Sequence, residues 1–123
     1  EIDWSDKTIL VVEDDKLSLK YIEEALKFTK VKIFSCSDGK AAVKLVENSI
    51  KLDLILMDLQ LPKMNGYEAT KIIKEFRPDI KIIAQTAYAY KQDKDEAFKA
   101  GCDDYLTKPI SNTELFECLE KIL

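Results

Sequence analysis

Five short apolar runs alternate with five amphipathic stretches along the chain, and this alternation constrains the fold more than any other feature. Residues 8–12, 31–36, 52–57, 80–86 and 104–107 read as strands. The third is nearly all apolar, as expected for a strand covered on both faces. Residues 16–28 read as a helix with Leu19, Ile22 and Leu26 on one face. Asp38-Gly39 reads as a turn, and Ala42, Leu45 and Val46 form the inner stripe of the next helix. Residues 67–76 are predicted helical, with Ala69, Ile72, Ile73 and Phe76 inward and Arg77-Pro78-Asp79 as the stop. A helix over residues 92–100 is poorer in apolar content and ends at Gly101 as its C-cap. The last helix starts at Ser111-Asn112-Thr113-Glu114 and buries Leu115, Leu119 and Ile122. Five strand–helix units predict an α/β fold, a parallel sheet with helices on both faces.

The length of 123 residues suits one domain with one core, and the 46% hydrophobic content is that of a globular chain. A net charge of -4 argues against a non-specific nucleic-acid face. No apolar run approaches the ~20 residues needed to span a bilayer, and no signal peptide is visible, so a cytoplasmic location is expected. The chain opens on Glu1 rather than Met and reads as part of something longer. Residues 1–6 are polar apart from Ile2 and Trp4 and read as a linker remnant before a domain over 7–123. Cys36, Cys102 and Cys118 contain no C-x-x-C pair and read as reduced core thiols. The absence of histidine excludes Ser-His-Asp and Cys-His catalysis, and it means that any phosphohistidine must belong to another domain.

In a sheet of this kind the ligand site lies beyond the carboxyl ends of the strands. Glu13 and Asp14 follow the first strand, Asp58 the third, Thr86 ends the fourth and Lys108 follows the fifth, so five functional groups converge. Carboxylates at the ends of buried strands are costly unless something binds them. A divalent cation and Lys108 are the two partners available. Held that way, Asp58 becomes a phosphoryl acceptor, because a carboxylate can attack phosphorus to give an acyl phosphate. Phosphoryl transfer needs positioning and charge neutralisation more than a protein base, so the lack of histidine is no obstacle. Each residue also has a plainer reading. Asp14 or Asp15 could cap a helix, and for Asp15 the cap or a solvated face is preferred. Lys108-Pro109 could be only a turn, Thr86 only a strand-end hydroxyl, and Tyr105 only core.

Four segments together resemble the receiver (response-regulator) domains of bacterial two-component phosphorelay signalling: Val12-Glu13-Asp14-Asp15, Met57-Asp58-Leu59-Gln60-Leu61-Pro62, Thr86-Ala87, and Tyr105-Leu106-Thr107-Lys108-Pro109-Ile110. Trp4, the segment Gly66-Tyr67-Glu68-Ala69-Thr70 and the segment Ile83-Ala84-Gln85-Thr86-Ala87 resemble receivers of hybrid sensor histidine kinases. The resemblance implies a doubly wound, flavodoxin-like sheet of order 2-1-3-4-5. It implies that Asp58 takes a phosphoryl group from a histidine kinase or a histidine phosphotransfer domain. It also implies Mg²⁺ as cofactor, held by Asp14, Asp58, Glu13 mostly through water, and the backbone carbonyl of Gln60. Lys108 would neutralise phosphoryl charge and Thr86 would donate its hydroxyl to a phosphoryl oxygen. Tyr105 would turn inward when Thr86 moves, changing the face of the fourth helix, fifth strand and fifth helix. Tyr88 and Gln60 match positions that tune phosphoryl lifetime. Such a domain catalyses its own phosphorylation and dephosphorylation but acts as a switch. Neither nucleic acid nor membrane is an expected partner, and a weak or phosphorylation-dependent dimer is compatible with the family.

Three other functions fit less well. A phosphatase of the haloacid dehalogenase type needs a second Asp two residues after the nucleophile, where this chain has Gln60. A flavodoxin-like flavin binder needs a phosphate loop rich in Ser, Thr and Gly, where this chain has Glu13-Asp14-Asp15. A phosphorylation-independent pseudo-receiver scaffold usually lacks a site residue, and here none is missing.

Overall fold

The computed structural model describes residues 2–48, 51–88 and 90–123. Five strands, β1 Thr8–Val12, β2 Lys32–Cys36, β3 Leu54–Asp58, β4 Lys81–Thr86 and β5 Asp104–Thr107, form one parallel sheet in the order β2-β1-β3-β4-β5. Five helices, α1 Lys16–Leu26, α2 Gly39–Glu47, α3 Gly66–Phe76, α4 Lys91–Ala100 and α5 Asn112–Ile122, connect and follow them.

Alternate residues of each inner strand point to opposite faces, and each face carries its own core. Leu10, Val12, Ile55, Met57, Ile82 and Ala84 pack with Ala42 and Val46 of α2, Ala69 and Ile73 of α3 and Ala97 of α4. Ile9, Val11, Leu54, Leu56 and Ile83 pack with Ile22 and Leu26 of α1 and with Leu115, Cys118 and Leu119 of α5. All residues of β1 and β3 are buried, which explains why their sequences run apolar without alternation. The second core also takes in Trp4, whose backbone N–H donates to the Thr29 carbonyl at 2.7 Å and whose ring stacks on Phe116 at 6.1 Å.

Four helices start on side-chain caps. Asp15, Asp38, Asn65 and Ser111 accept from the backbone N–H of Leu17, Ala41, Glu68 and Glu114. Asp15 is thus a cap, as preferred. Asp38-Gly39, read as a turn, is instead the N-cap and first residue of α2: the Asp38 carboxylate accepts the otherwise free N–H of Ala41 in the first turn. α4 has no side-chain cap and buries only Ala97 and Ala100, and Gly101 closes it with φ 117.

Three other expectations shift. The helix predicted over 16–28 ends at Leu26 and tightens into a 3-10 turn, Lys27–Thr29, where the Thr29 hydroxyl donates to the Leu26 carbonyl at 2.6 Å. Phe76, predicted inward, is 40% exposed on the last residue of α3, while fully buried Ile80 fills the core at that end. The third strand starts later and ends later than predicted, so Asp58 is its last residue. Leu52 is buried before the strand begins, and Asp53 is tied to Thr8, accepting its N–H at 2.8 Å and donating to its carbonyl at 2.9 Å. The three cysteines are free, Cys102 and Cys118 buried and Cys36 half-buried. Among the described residues, no helix is long and apolar enough to cross a membrane.

Candidate functional site

The carboxyl ends of β1, β3, β4 and β5 bring the predicted residues together. Apolar packing around β1 and β3 fixes the chain up to Val12 and Met57, and the next residues are carried out of the core as acids. Asp58, paired with Gln85 in the β3–β4 register, is 4% exposed and Glu13 is 3% exposed. Asp14 is exposed. One carboxylate oxygen from each of Glu13, Asp14 and Asp58 lies within 4.8 Å of the others.

Lys108 closes the cluster. Its backbone N–H donates to the Thr86 carbonyl at 2.7 Å, which ties the β5–α5 loop to β4. Its ammonium donates to Glu13 Oε1 at 2.7 Å and to Asp58 Oδ2 at 3.2 Å. The other oxygens face backbone: Glu13 Oε2 accepts from Asp15 N–H at 3.2 Å and Asp58 Oδ1 from Gln60 N–H at 2.9 Å. Burial lifts the Glu13 carboxyl from 4.5 up to about 7, with Lys108 pulling it down and the neighbouring Asp58 pushing it up. Burial works to lower the Lys108 ammonium, but its bond to Glu13 and the charges of Asp58 and Glu13 outweigh that and hold it above 10.5.

Three ionised carboxylates against one ammonium leave two negative charges uncompensated. An all-oxygen cluster with a surplus of two charges, open on the Asp14 side, fits Mg²⁺, which takes few protein oxygens and keeps several waters.

The loop after β3 is held close to this cluster. Gly66 N–H donates to the Leu59 carbonyl at 3.2 Å, and a Cβ at Gly66 would stand 2.3 Å from the Asp58 carbonyl oxygen. Only glycine permits that approach. Thr86, fully buried, donates its hydroxyl to Gln60 Oε1 at 2.7 Å and accepts from Tyr88 N–H at 3.1 Å. Tyr105 is half-buried, its hydroxyl donates to the Tyr88 carbonyl, and the Lys94 ammonium lies 5.7 Å from its ring centroid. The Gln60 side-chain contact with Thr86 lies outside both roles expected of Gln60, the backbone carbonyl at the metal and a position that tunes phosphoryl lifetime. Nothing local signals a bond between side chains 26 residues apart.

Residues 9–120 match the family described as the response regulator receiver domain. The chain is 40% identical over 119 residues to hybrid signal transduction histidine kinase I of Dictyostelium discoideum, covering 90% of this chain and 7% of the kinase. It is 35% identical over 120 residues to the polar-differentiation response regulator DivK of Brucella anthropi, covering 95% of this chain and 96% of that protein. Its fold is similar to the receiver domain of a sensor histidine kinase from Pseudomonas aeruginosa, with a TM-score of 0.87, 36% identity and coverage of 94% and 96% of the two chains; that crystal structure has a magnesium ion coordinated in its active-site cleft. This chain therefore belongs to the response regulator receiver domain family. It is a receiver domain of two-component signalling, and its sheet has the doubly wound order of that family.

Proposed function

We propose that Asp58 accepts a phosphoryl group from the phosphohistidine of a histidine kinase or histidine phosphotransfer domain, and that this chemistry switches the face formed by α4, β5 and α5. The observation that carries the reading is Asp58 itself, buried at a strand end, 3.2 Å from the Lys108 ammonium and grouped with two further acids. An Asp58 oxygen would form the new bond to phosphorus as the P–N bond breaks, the electron pair staying on the imidazole nitrogen. Lys108 would follow the developing charge on the phosphoryl oxygens. Water would later cleave the acyl phosphate, returning phosphate and the free carboxylate. Glu13, Asp14, Asp58 and the Gln60 carbonyl would hold Mg²⁺, which when bound neutralises charge between carboxylates and phosphoryl oxygens. Thr86 would turn its hydroxyl to the phosphoryl group and Tyr105 would follow, moving a face whose α4 is held by few buried side chains.

The similarity to receivers of sensor and hybrid histidine kinases supports a phosphorelay donor and a place in such a kinase. Free thiols at Cys36, Cys102 and Cys118 support a reducing compartment, the cytoplasm. Beryllofluoride, an analogue of the phosphoryl group, tests the site. It is expected to bind only when Mg²⁺ is present and to shift the amides of Thr86, Tyr88, α4 and β5. Saturating Mg²⁺ and beryllofluoride with no amide shift would leave a phosphorylation-independent scaffold in place of this reading.

A further inference from the structure

The Thr86 hydroxyl is already committed. It carries one proton, and that proton goes to Gln60 Oε1 at 2.7 Å. It cannot donate to a phosphoryl oxygen on Asp58 at the same time. We propose that the Gln60 side chain is a latch that holds Thr86 in the resting arrangement, so that Gln60 is a positioning residue for the switch. This rests on the phosphoacceptor reading of Asp58 given above.

Three observations support the latch. First, the two ends differ in exposure. Thr86 is 0% exposed, whereas Gln60 is exposed. On release the Gln60 amide returns to water at little cost, but the buried Thr86 hydroxyl needs a new acceptor. A phosphoryl oxygen on Asp58 supplies one, and a charged acceptor makes the stronger bond. Second, the latch residue is bonded to the acceptor. Gln60 N–H donates to Asp58 Oδ1 at 2.9 Å, so chemistry at Asp58 falls on the residue whose side chain restrains Thr86. Third, the restraint continues outward. Thr86 accepts from Tyr88 N–H at 3.1 Å, and the Tyr88 carbonyl accepts from the Tyr105 hydroxyl. Gln60, Thr86, Tyr88 and Tyr105 thus form one hydrogen-bonded chain from the site to the surface of β5. Opening its first bond frees the rest.

The test is a double-mutant cycle read by beryllofluoride affinity at saturating Mg²⁺, using wild type, Gln60→Leu, Thr86→Ala and the double variant. Gln60→Leu keeps the charge and removes the acceptor, so the buried Thr86 hydroxyl loses its resting partner. It is expected to bind beryllofluoride roughly threefold to tenfold tighter. Its free form is expected to show Tyr88 and Tyr105 amides displaced toward their positions in the wild-type complex. Gln60→Met, close to glutamine in length, is expected to move both readouts in the same direction. In the Thr86→Ala background the Gln60→Leu gain is expected to vanish, because there is no hydroxyl to latch. Unchanged or weaker affinity in both Gln60 variants would overturn the latch. So would a gain that persists in full without the Thr86 hydroxyl, which would place the effect of Gln60 elsewhere in its loop. Wild-type protein that takes up no beryllofluoride would overturn the phosphoacceptor reading and the latch with it.

Discussion

Lys108→Met will cost the domain both stability and phosphoryl acceptance. Methionine keeps an unbranched apolar stem and removes the ammonium that donates to Glu13 and Asp58. The two carboxylates left behind have side chains 0% and 5% exposed, so neither regains full hydration. Breaking one partner out of a fully buried pair costs 3–5 kcal/mol, and because the Lys108 side chain is 23% exposed the expected loss is about 2 kcal/mol at pH 8. At pH 5 the loss is expected to shrink, because Glu13, already lifted to about 7 with the lysine present, then carries a proton. The rate of phosphoryl acceptance is expected to fall roughly 10²-fold, the scale of losing one preorganised group at a site of developing charge. Urea unfolding at the two pH values and phosphate uptake from acetyl phosphate measure both effects. Equal stability to wild type at both pH values, with unaltered uptake, would make the lysine an ordinary surface ion pair.

Mg²⁺ will stabilise the domain, and more so as pH rises. The sign follows from Glu13. Its folded value of about 7 lies above the 4.5 it has in an open chain. Between these values the folded protein binds more protons than the unfolded chain, so cation-free stability falls as pH climbs through the window and levels above it. Lys108 works at the other end: its folded value lies above 10.5, so its contribution is present below 10.5 and is lost as pH rises through the raised value. Mg²⁺ held by the ionised carboxylates would compete with the proton on Glu13, so its own contribution is expected to grow across the same window. At ten times its dissociation constant it should add about 1.4 kcal/mol, which for a domain of this size is roughly 3–8 °C in Tm. Asp14→Ala should lose that response and melt no lower than wild type without metal, because one of three clustered charges has gone. Melts at pH 5 and pH 7.5, with and without Mg²⁺, measure this. A Tm independent of Mg²⁺ at both pH values would remove the metal site.

What could be read from the sequence is what burial imposes on one element at a time. The strands β1 and β3 are buried at every position, so their unbroken apolar runs announced both the sheet and the exit points of Glu13 and Asp58. The cap at Ser111 follows from residue chemistry within one turn. Phe76 could not be placed, because its exposure depends on Ile80 reaching the core from the next element. Asp38 looks the same in a turn and in a cap until the helix it serves is present. The Gln60–Thr86 bond depends on how two loops approach each other, which no local period encodes. Gln85 interrupts an apolar strand and is fully buried, yet neither atom of its amide has a hydrogen-bond partner among the described residues.

Asp58 is the group expected to take the phosphoryl. The most direct measurement is the intact mass of the wild type and of Asp58→Asn after incubation with acetyl phosphate and Mg²⁺. The wild type is predicted to gain one phosphoryl group, to lose it slowly to water, and to gain none when the cation is chelated. Asp58→Asn keeps the shape of the side chain without a nucleophilic carboxylate and is predicted to gain none under any condition. Equal uptake by Asp58→Asn, or no uptake by the wild type with Mg²⁺ present, would contradict the account.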